Sequence, residues 1–186
     1  MRKIIYALTV SLDGFIEAPD GDLSWSFPDE ELHQHFNDRE TMIDTHLYGR
    51  RMYELMAAYW PTADENPSAP AYEVQYTKIW KSKPKVVFSK TLDRVGWNSR
   101  LVRDVIPGEI QKLKAQPGKY MSVGGPTLAA AFMRLDLIDE FWLYLSPIIL
   151  GAGKPMFPSL KDRIPVALIE TKTFGSGVAL LRYALI

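Results

Sequence analysis

Short β-prone runs alternate with helix-forming segments along much of the chain, and this alternation constrains the fold more than any other feature. The run "IIYALTV" at 4–10 is typical of a strand that is covered on both faces. Further strands are predicted at "THLYG", "KVVFS" and "YMSV". Helices are predicted at 29–43, at "RRMYELMAAYW", at "AYEVQYTKIWKS", at 105–116 and at 126–135.

The chain becomes strand-rich after residue 139, where "EFWLYLSPIIL", "PVALIETKTF" and "GVALLRYALI" follow one another. These runs predict a closing antiparallel group, whereas the preceding alternation predicts a mainly parallel sheet with helices on both faces. The expected fold is therefore a three-layer α/β/α domain with a mixed sheet. The polar segment 61–70 reads as an exposed loop that is too short and too central to separate two domains, so 1–186 are expected to form a single domain.

Charge and composition exclude several classes of function. The 22 basic residues balance the 22 acidic ones, so no overall field attracts nucleic acid or an anionic membrane, and a small-molecule partner is expected. The chain has no cysteine, which favours a reducing compartment such as the cytoplasm. No apolar run approaches the about 20 residues of a membrane helix. The three histidines lack the spacing of a metal site, and no metal is expected.

The stretch "SVGGPTLAAAF" at 122–132 joins a predicted strand to a predicted helix. Gly124 and Gly125 lack a Cβ, so their amides can approach a phosphate closely, and Thr127 adds a hydroxyl donor. Pro126 at the first helical position gives up an N–H that has no intrahelical partner. The alternative is that the two glycines simply make a tight turn, and the residues alone leave both interpretations open.

Two further strand ends offer donors for anions. In "LYGRRMYE", Arg50 and Arg51 oppose the dipole at a helix start, a placement that is unfavourable unless an anion lies there. One arginine can grip a phosphate while the other is solvated. In "VVFSKT", Ser89 and Lys90 end a strand with a hydroxyl and an ammonium group. Three such junctions in one sheet suggest a ligand with two separated phosphates, such as a nicotinamide dinucleotide phosphate.

The segments "TVSLDGFI", "GRRMYE", "VVFSKT" and "VGGPTLAAAF…LIDEFWLYLSPIILGAGKPMF" resemble the reductase domain of the bifunctional riboflavin-biosynthesis deaminase-reductase, the RibD C-terminal domain, and its stand-alone bacterial relatives. This family is in turn similar to dihydrofolate reductase. The resemblance spans nearly the whole chain in the family's order. It implies a dihydrofolate reductase-like fold and an NADPH-dependent reductase of a small pterin- or pyrimidine-like substrate. Members are commonly homodimers, and the apolar C-terminal strands agree with a homodimer here.

The resemblance also implies roles for individual residues. Gly49 and Arg50, with Arg51 beside them, fall on the adenosine 2′-phosphate side, Ser89 and Lys90 flank that phosphate and the adenine, Gly124, Gly125, Pro126 and Thr127 surround the diphosphate, and Ala7 and Ile16 line the nicotinamide pocket. Two positions depart from the family. Met52 replaces a threonine and Ala7 replaces a lysine, which removes a hydroxyl and a cation. The missing cation argues against a phosphorylated sugar on the substrate.

Two carboxylates are candidates for the catalytic acid. In "SWSFPDEELHQHF", Trp25, Pro28 and Glu30 match the spacing of the dihydrofolate reductase loop and acid, so Glu30 is a candidate proton donor and Trp25 a candidate lid over the substrate. Asp13, in Ser-Leu-Asp-Gly, corresponds to the acid nearest the substrate in riboflavin-type reductases. The alternatives are a turn residue for Asp13, a solvated helix start for Glu30 and a packing role for Trp25.

A second class of function stays open. The changes at Ala7 and Met52 also fit a nucleotide-binding module of the same fold that has lost turnover. Cofactor binding without oxidation would distinguish this module from an enzyme.

Overall fold

The computed structural model describes residues 1–160 and 163–186. The strands are β1 (Ile4–Ser11), β2 (Phe15–Glu17), β3 (Ile43–Gly49), β4 (Lys85–Phe88), β5 (Ser99–Val102), β6 (Tyr120–Gly124), β7 (Glu140–Ser146), β8 (Lys154–Pro155), β9 (Val166–Thr173) and β10 (Ala179–Leu185). The helices are α1 (Glu30–Arg39), α2 (Arg50–Tyr59), α3 (Ala71–Ser82), α4 (Pro107–Ala115) and α5 (Pro126–Arg134). Short 3₁₀ helices lie at Ser24–Ser26, Glu40–Met42 and Trp60–Glu65.

Eight strands form one mixed sheet in the order β5-β4-β3-β6-β1-β7-β10-β9. The pairs from β5 to β7 are all parallel, and β10 runs antiparallel to both β7 and β9. This confirms the predicted mixed sheet with antiparallel C-terminal strands. One detail differs: β7 belongs to the parallel part, because it pairs with β1 from Ile5↔Glu140 to Ser11↔Ser146.

Helices cover both faces of the sheet because side chains alternate along each strand. On β3, Leu47 packs with Phe132 of α5 and Ile110 of α4, whereas its neighbour Tyr48 packs with Tyr53 of α2 on the opposite face. The α1 helix lies on that opposite face and contacts α3. Two apolar layers against one sheet give the three-layer architecture.

Some element boundaries differ from the predicted ones. The helix expected at 29–43 ends at Arg39, because Ile43 is buried as the first residue of β3 and the chain must leave the helix before it. The loop expected at 61–70 begins inside the 3₁₀ helix Trp60–Glu65, where Pro61 is buried. The strands β2, β5 and β8 were not predicted, because β2 and β8 have only three and two residues and two of the four residues of β5 are polar.

The sheet opens between β1 and β6. Their pairing runs only from Ile4↔Met121 to Tyr6↔Val123, although β1 continues beside β7 as far as Ser11. In parallel sheets the crevice beyond the carboxyl ends of such strands is the usual place for a ligand.

Candidate cofactor cleft

A cleft of about 650 Å³ lies at the carboxyl ends of β1, β3, β4 and β6. This volume is within the range of cofactor and small-molecule sites. All eleven residues that the sequence assigned to a cofactor line it: Ala7, Ile16, Gly49, Arg50, Arg51, Ser89, Lys90, Gly124, Gly125, Pro126 and Thr127. The structure therefore brings the three strand ends together at one site.

The glycine pair is required by packing as well as by its place in the cleft. A Cβ on Gly124 would lie 2.8 Å from the Tyr48 ring, and Gly125 has φ +98°, which strains any other residue. A Cβ on Gly125 would also lie 3.4 Å from Cβ of Met52. The tight-turn interpretation therefore accounts for both glycines, and the turn that they make forms part of the cleft wall.

Two helices begin at the cleft without a capping side chain. The N-caps of α2 and α5 are Gly49 and Gly125, and among the described residues no side chain accepts from the first-turn amides of either helix. Neither first turn carries an acidic residue. Unpaired amides and the positive ends of two helix dipoles therefore meet at the cleft, where they favour an anionic group.

The adjacent arginines Arg50 and Arg51 contact opposite sides of the cleft. Arg50 donates from Nε to Glu54 Oε1 at 2.9 Å and from Nη1 to Thr91 Oγ1 at 2.7 Å, beyond the end of β4. Arg51 donates from Nη1 to the carboxylate of Glu17 on β2 at 3.2 Å. The two side chains are 53% and 62% exposed, so an incoming anion can replace these carboxylates at small cost.

The loop after β4 carries the other predicted donors. Ser89 Oγ accepts from the amides of Thr91 and Leu92 at 3.2 and 3.0 Å, which leaves its own hydroxyl proton available to donate. Lys90 is exposed and lies 3.2 Å from Asp104. This end of the cleft thus combines a fixed hydroxyl with an exposed ammonium group.

Positive charge exceeds negative charge at the cleft, although the whole chain is neutral. Arg50, Arg51, Lys90 and Lys154 line it, and Glu17 supplies the one carboxylate among the described lining residues. Sequence reasoning missed Glu17 and Lys154. They become neighbours only through the pairing of β2 with β8, two strands too short to be predicted.

The structure does not bring Asp13 to the cleft. Its carboxylate accepts from the Ser11 hydroxyl at 2.6 Å and from the amides of Leu150 and Gly151 at 3.1 and 2.7 Å. The Ser11 hydroxyl is the main cause of a pKa that lies below the ordinary value of this carboxyl, and the two amides lower it further. Asp13 therefore holds the 150–151 loop as an ionised turn residue, and an acid that stays ionised is a poor proton donor.

The loop acid and the tryptophan also lie outside the cleft. Glu30 is exposed in the first turn of α1, because Asp29 takes the N-cap position and accepts from the amide of Leu32 at 2.9 Å. Trp25 lines a second cavity of about 310 Å³ together with Asp29. That cavity shares Ser26 with the cleft, so Trp25 lies beside the cleft rather than in it.

The described residues contain neither a metal centre nor a membrane-spanning helix. Within 1–160 and 163–186, no group of three or more histidine, aspartate or glutamate side chains is placed to hold a metal ion. The helices of the same described ranges include none with the length and hydrophobicity needed to cross a membrane.

The chain is similar to proteins of a known family. The family model of the RibD C-terminal domain matches residues 2–180. The chain is 39% identical over 183 residues to the uncharacterized protein YyaP of Bacillus subtilis (strain 168), covering 98% of this chain and 94% of YyaP. It is 28% identical over 181 residues to YwjB of the same organism, covering 96% of each.

Solved structures share the fold. A putative riboflavin biosynthesis protein from Shewanella sp. PV-4 superposes with a TM-score of 0.77 at 24% identity, over 100% of this chain and 99% of that one. Dihydrofolate reductase from Enterococcus faecalis, complexed with NADP(H), gives 0.65 at 13% identity over 98% and 96%. The Thermotoga maritima deaminase/5-amino-6-(5-phosphoribosylamino)uracil reductase gives 0.67 at 14%, over 100% of this chain and 57% of that longer one.

Proposed function

We propose that this chain, which belongs to the RibD C-terminal domain family, is an NADPH-dependent reductase of a small heterocyclic, pterin- or pyrimidine-like substrate. The observation that carries the proposal is the convergence of two uncapped helix N-termini and four basic side chains on one cleft. That the Enterococcus dihydrofolate reductase structure of the same fold holds NADP(H) supports this cofactor.

Different residues of the cleft are proposed to bind different parts of the cofactor. Arg50, with Ser89 and Lys90 at the end of the neighbouring strand β4, is proposed to hold the 2′-phosphate, since a guanidinium fork and a hydroxyl suit phosphate oxygens. The amides at the start of α5, after Gly125, are proposed to hold the diphosphate. Much of the remaining lining is apolar, and Ala7 and Ile16 in that lining are proposed to contact the nicotinamide.

The chemistry is shared between cofactor and protein. When bound, NADPH supplies the hydride, whereas the protein binds and orients the cofactor and the substrate and excludes water. The substrate is proposed to enter beside Ser26, where the cleft meets the cavity lined by Trp25. Asp13 is held in a turn and Glu30 faces solvent, so neither is assigned proton transfer.

A titration of the protein with NADPH, followed by tryptophan quenching, tests the cofactor assignment. Replacing Arg50 by glutamine is expected to weaken NADPH binding by about 10- to 100-fold, the range for a charged hydrogen bond, and to leave NADH binding nearly unchanged. Arg100, an exposed arginine on β5 that does not line the cleft, provides the matched control Arg100→Gln. Failure of the wild-type protein to bind NADPH would refute the proposal.

A nucleotide-binding module without turnover is the second candidate. One observation favours it: neither acid proposed from the sequence lies in the cleft. Absorbance of NADPH in the presence of oxidised pterins and aminopyrimidines separates the two candidates. Oxidation of NADPH supports the reductase, and binding without oxidation of any of them supports the module.

We also propose that two copies associate through β9. This strand ends the sheet, all eight of its residues are exposed, and Leu168 and Ile169 are 52% and 49% exposed. An apolar edge strand of this length is normally covered. Light scattering of the wild-type chain is expected to give a dimer, and Ile169→Lys a monomer. A monomeric wild-type chain would contradict the proposal.

A further inference from the structure

Glu17 and Arg51 connect two walls of the cleft. Glu17 is on β2 and Arg51 is in the first turn of α2, 34 residues later, and both line the cleft. The Nη1 atom of Arg51 lies 3.2 Å from both Oε1 and Oε2 of Glu17. An ion pair therefore spans the cleft between the β2 wall and the start of α2.

The two partners differ in freedom. Glu17 is held by its pairing with Lys154 and by the backbone of Gly153, where an added Cβ would lie 2.2 Å from the Glu17 carbonyl oxygen. Its side chain is 20% exposed, whereas that of Arg51 is 62% exposed. Glu17 is thus the fixed half of the pair, and Arg51 is the half that can move to a ligand.

The proposed function makes this ion pair a competitor of the ligand. Arg51 lies in the first turn of α2, where it can pair with a bound anion, but in the described structure its guanidinium pairs with Glu17. Arg50 differs, because its carboxylate partner Glu54 lies on the same helix and does not cross the cleft.

Resting on the proposed function, we propose that Glu17 acts as an ionic latch on the cleft. It holds Arg51 across the cleft and must release it when a diphosphate-bearing ligand binds. Glu17 therefore weakens the binding of the cofactor and speeds its dissociation.

Equilibrium titration and stopped-flow dissociation of NADPH test the latch. Glu17→Gln is expected to tighten NADPH binding by about two- to fivefold, a change that matches the contribution of an exposed ion pair. Most of this gain is expected to come from slower dissociation of NADPH. Arg51→Gln is expected to weaken binding, and adding Glu17→Gln to it is expected to give no further gain. Glu109→Gln is the matched control: it removes the carboxylate of an exposed ion pair on α4, outside the cleft.

Inorganic pyrophosphate, titrated by calorimetry, separates the latch from the proposed function. If NADPH binds the wild-type protein but Glu17→Gln changes neither ligand's affinity, or gives the same gain in the Arg51→Gln background, the latch is refuted and the cofactor assignment stands. If pyrophosphate binds more tightly to Glu17→Gln while NADPH does not bind at all, the latch stands and the NADPH proposal falls.

Discussion

The two ends of β3 carry charge in opposite ways. Before its first residue, Glu40 is 2% exposed and surrounded by cations. After its last residue, Arg50 and Arg51 are more than half exposed, and each pairs with a carboxylate. The strand β3 thus lies between a buried cluster of paired charges and an exposed one. Only the exposed arginines can exchange their carboxylate partners for a ligand.

The buried cluster stabilises the fold. Glu40 lies 3.1 Å from His46 Nε2, 3.3 Å from Lys83 Nζ and 3.9 Å from Arg39 Nη2. Burial opposes the ionisation of Glu40, but the neighbouring His46, Arg39 and Lys83 outweigh it and lower its pKa to about 2. Its charge is therefore balanced by neighbours that are themselves largely buried, whereas the cleft arginines are more than half exposed.

The largest effect on stability is expected from Glu40→Gln. Removing one partner of a buried ionic cluster strands the others, so the free energy of unfolding in urea is expected to fall by about 3–5 kcal/mol. The NADPH affinity of the folded protein is expected to stay unchanged. Glu109→Gln, an exposed pair on α4, is expected to change stability by less than about 0.5 kcal/mol. An equal loss in both variants would show that burial at Glu40 has no special effect.

Acidification is expected to weaken the same cluster gradually. The folded pKa of about 2 lies below the ordinary value of 4.5, so the contribution of Glu40 is complete above about pH 4.5 and is lost as the pH falls through about 2. Urea midpoints measured across this range should fall more steeply for the wild type than for Glu40→Gln. Parallel curves would assign the acid sensitivity to other groups.

The smallest effect is expected at the exposed start of α1. Because Glu30 faces solvent and Asp29 makes the cap, Glu30→Gln should change turnover less than about twofold and stability by less than about 0.5 kcal/mol. Loss of turnover in Glu30→Gln with an unchanged thermal midpoint would support Glu30 as the proton donor.

Asp13→Asn should lower the thermal midpoint, since it weakens the hydrogen bonds to the amides of Leu150 and Gly151.

Local sequence rules predicted which strand ends line the cleft, but they did not predict whether the two candidate acids do. The junctions at Gly49, Ser89 and Gly124 were found because a glycine or a hydroxyl at a strand end has a local meaning. The positions of Asp13 and Glu30 relative to the cleft could not be predicted, because the direction of a side chain depends on its partners in the folded chain. Asp13 meets amides 137 and 138 residues away, and no spacing in the sequence indicates that contact.

Local periodicity and the order of the motifs are enough to establish the alternation of strands and helices, the mixed sheet and the membership of a family. Which charges share the cleft depends on the folded chain. It placed Glu17 against Arg51, took Asp13 and Glu30 out of the cleft and buried Glu40 among cations. The reason is physical: backbone preferences act over a few residues, whereas electrostatic pairing depends on distances that only the folded chain sets.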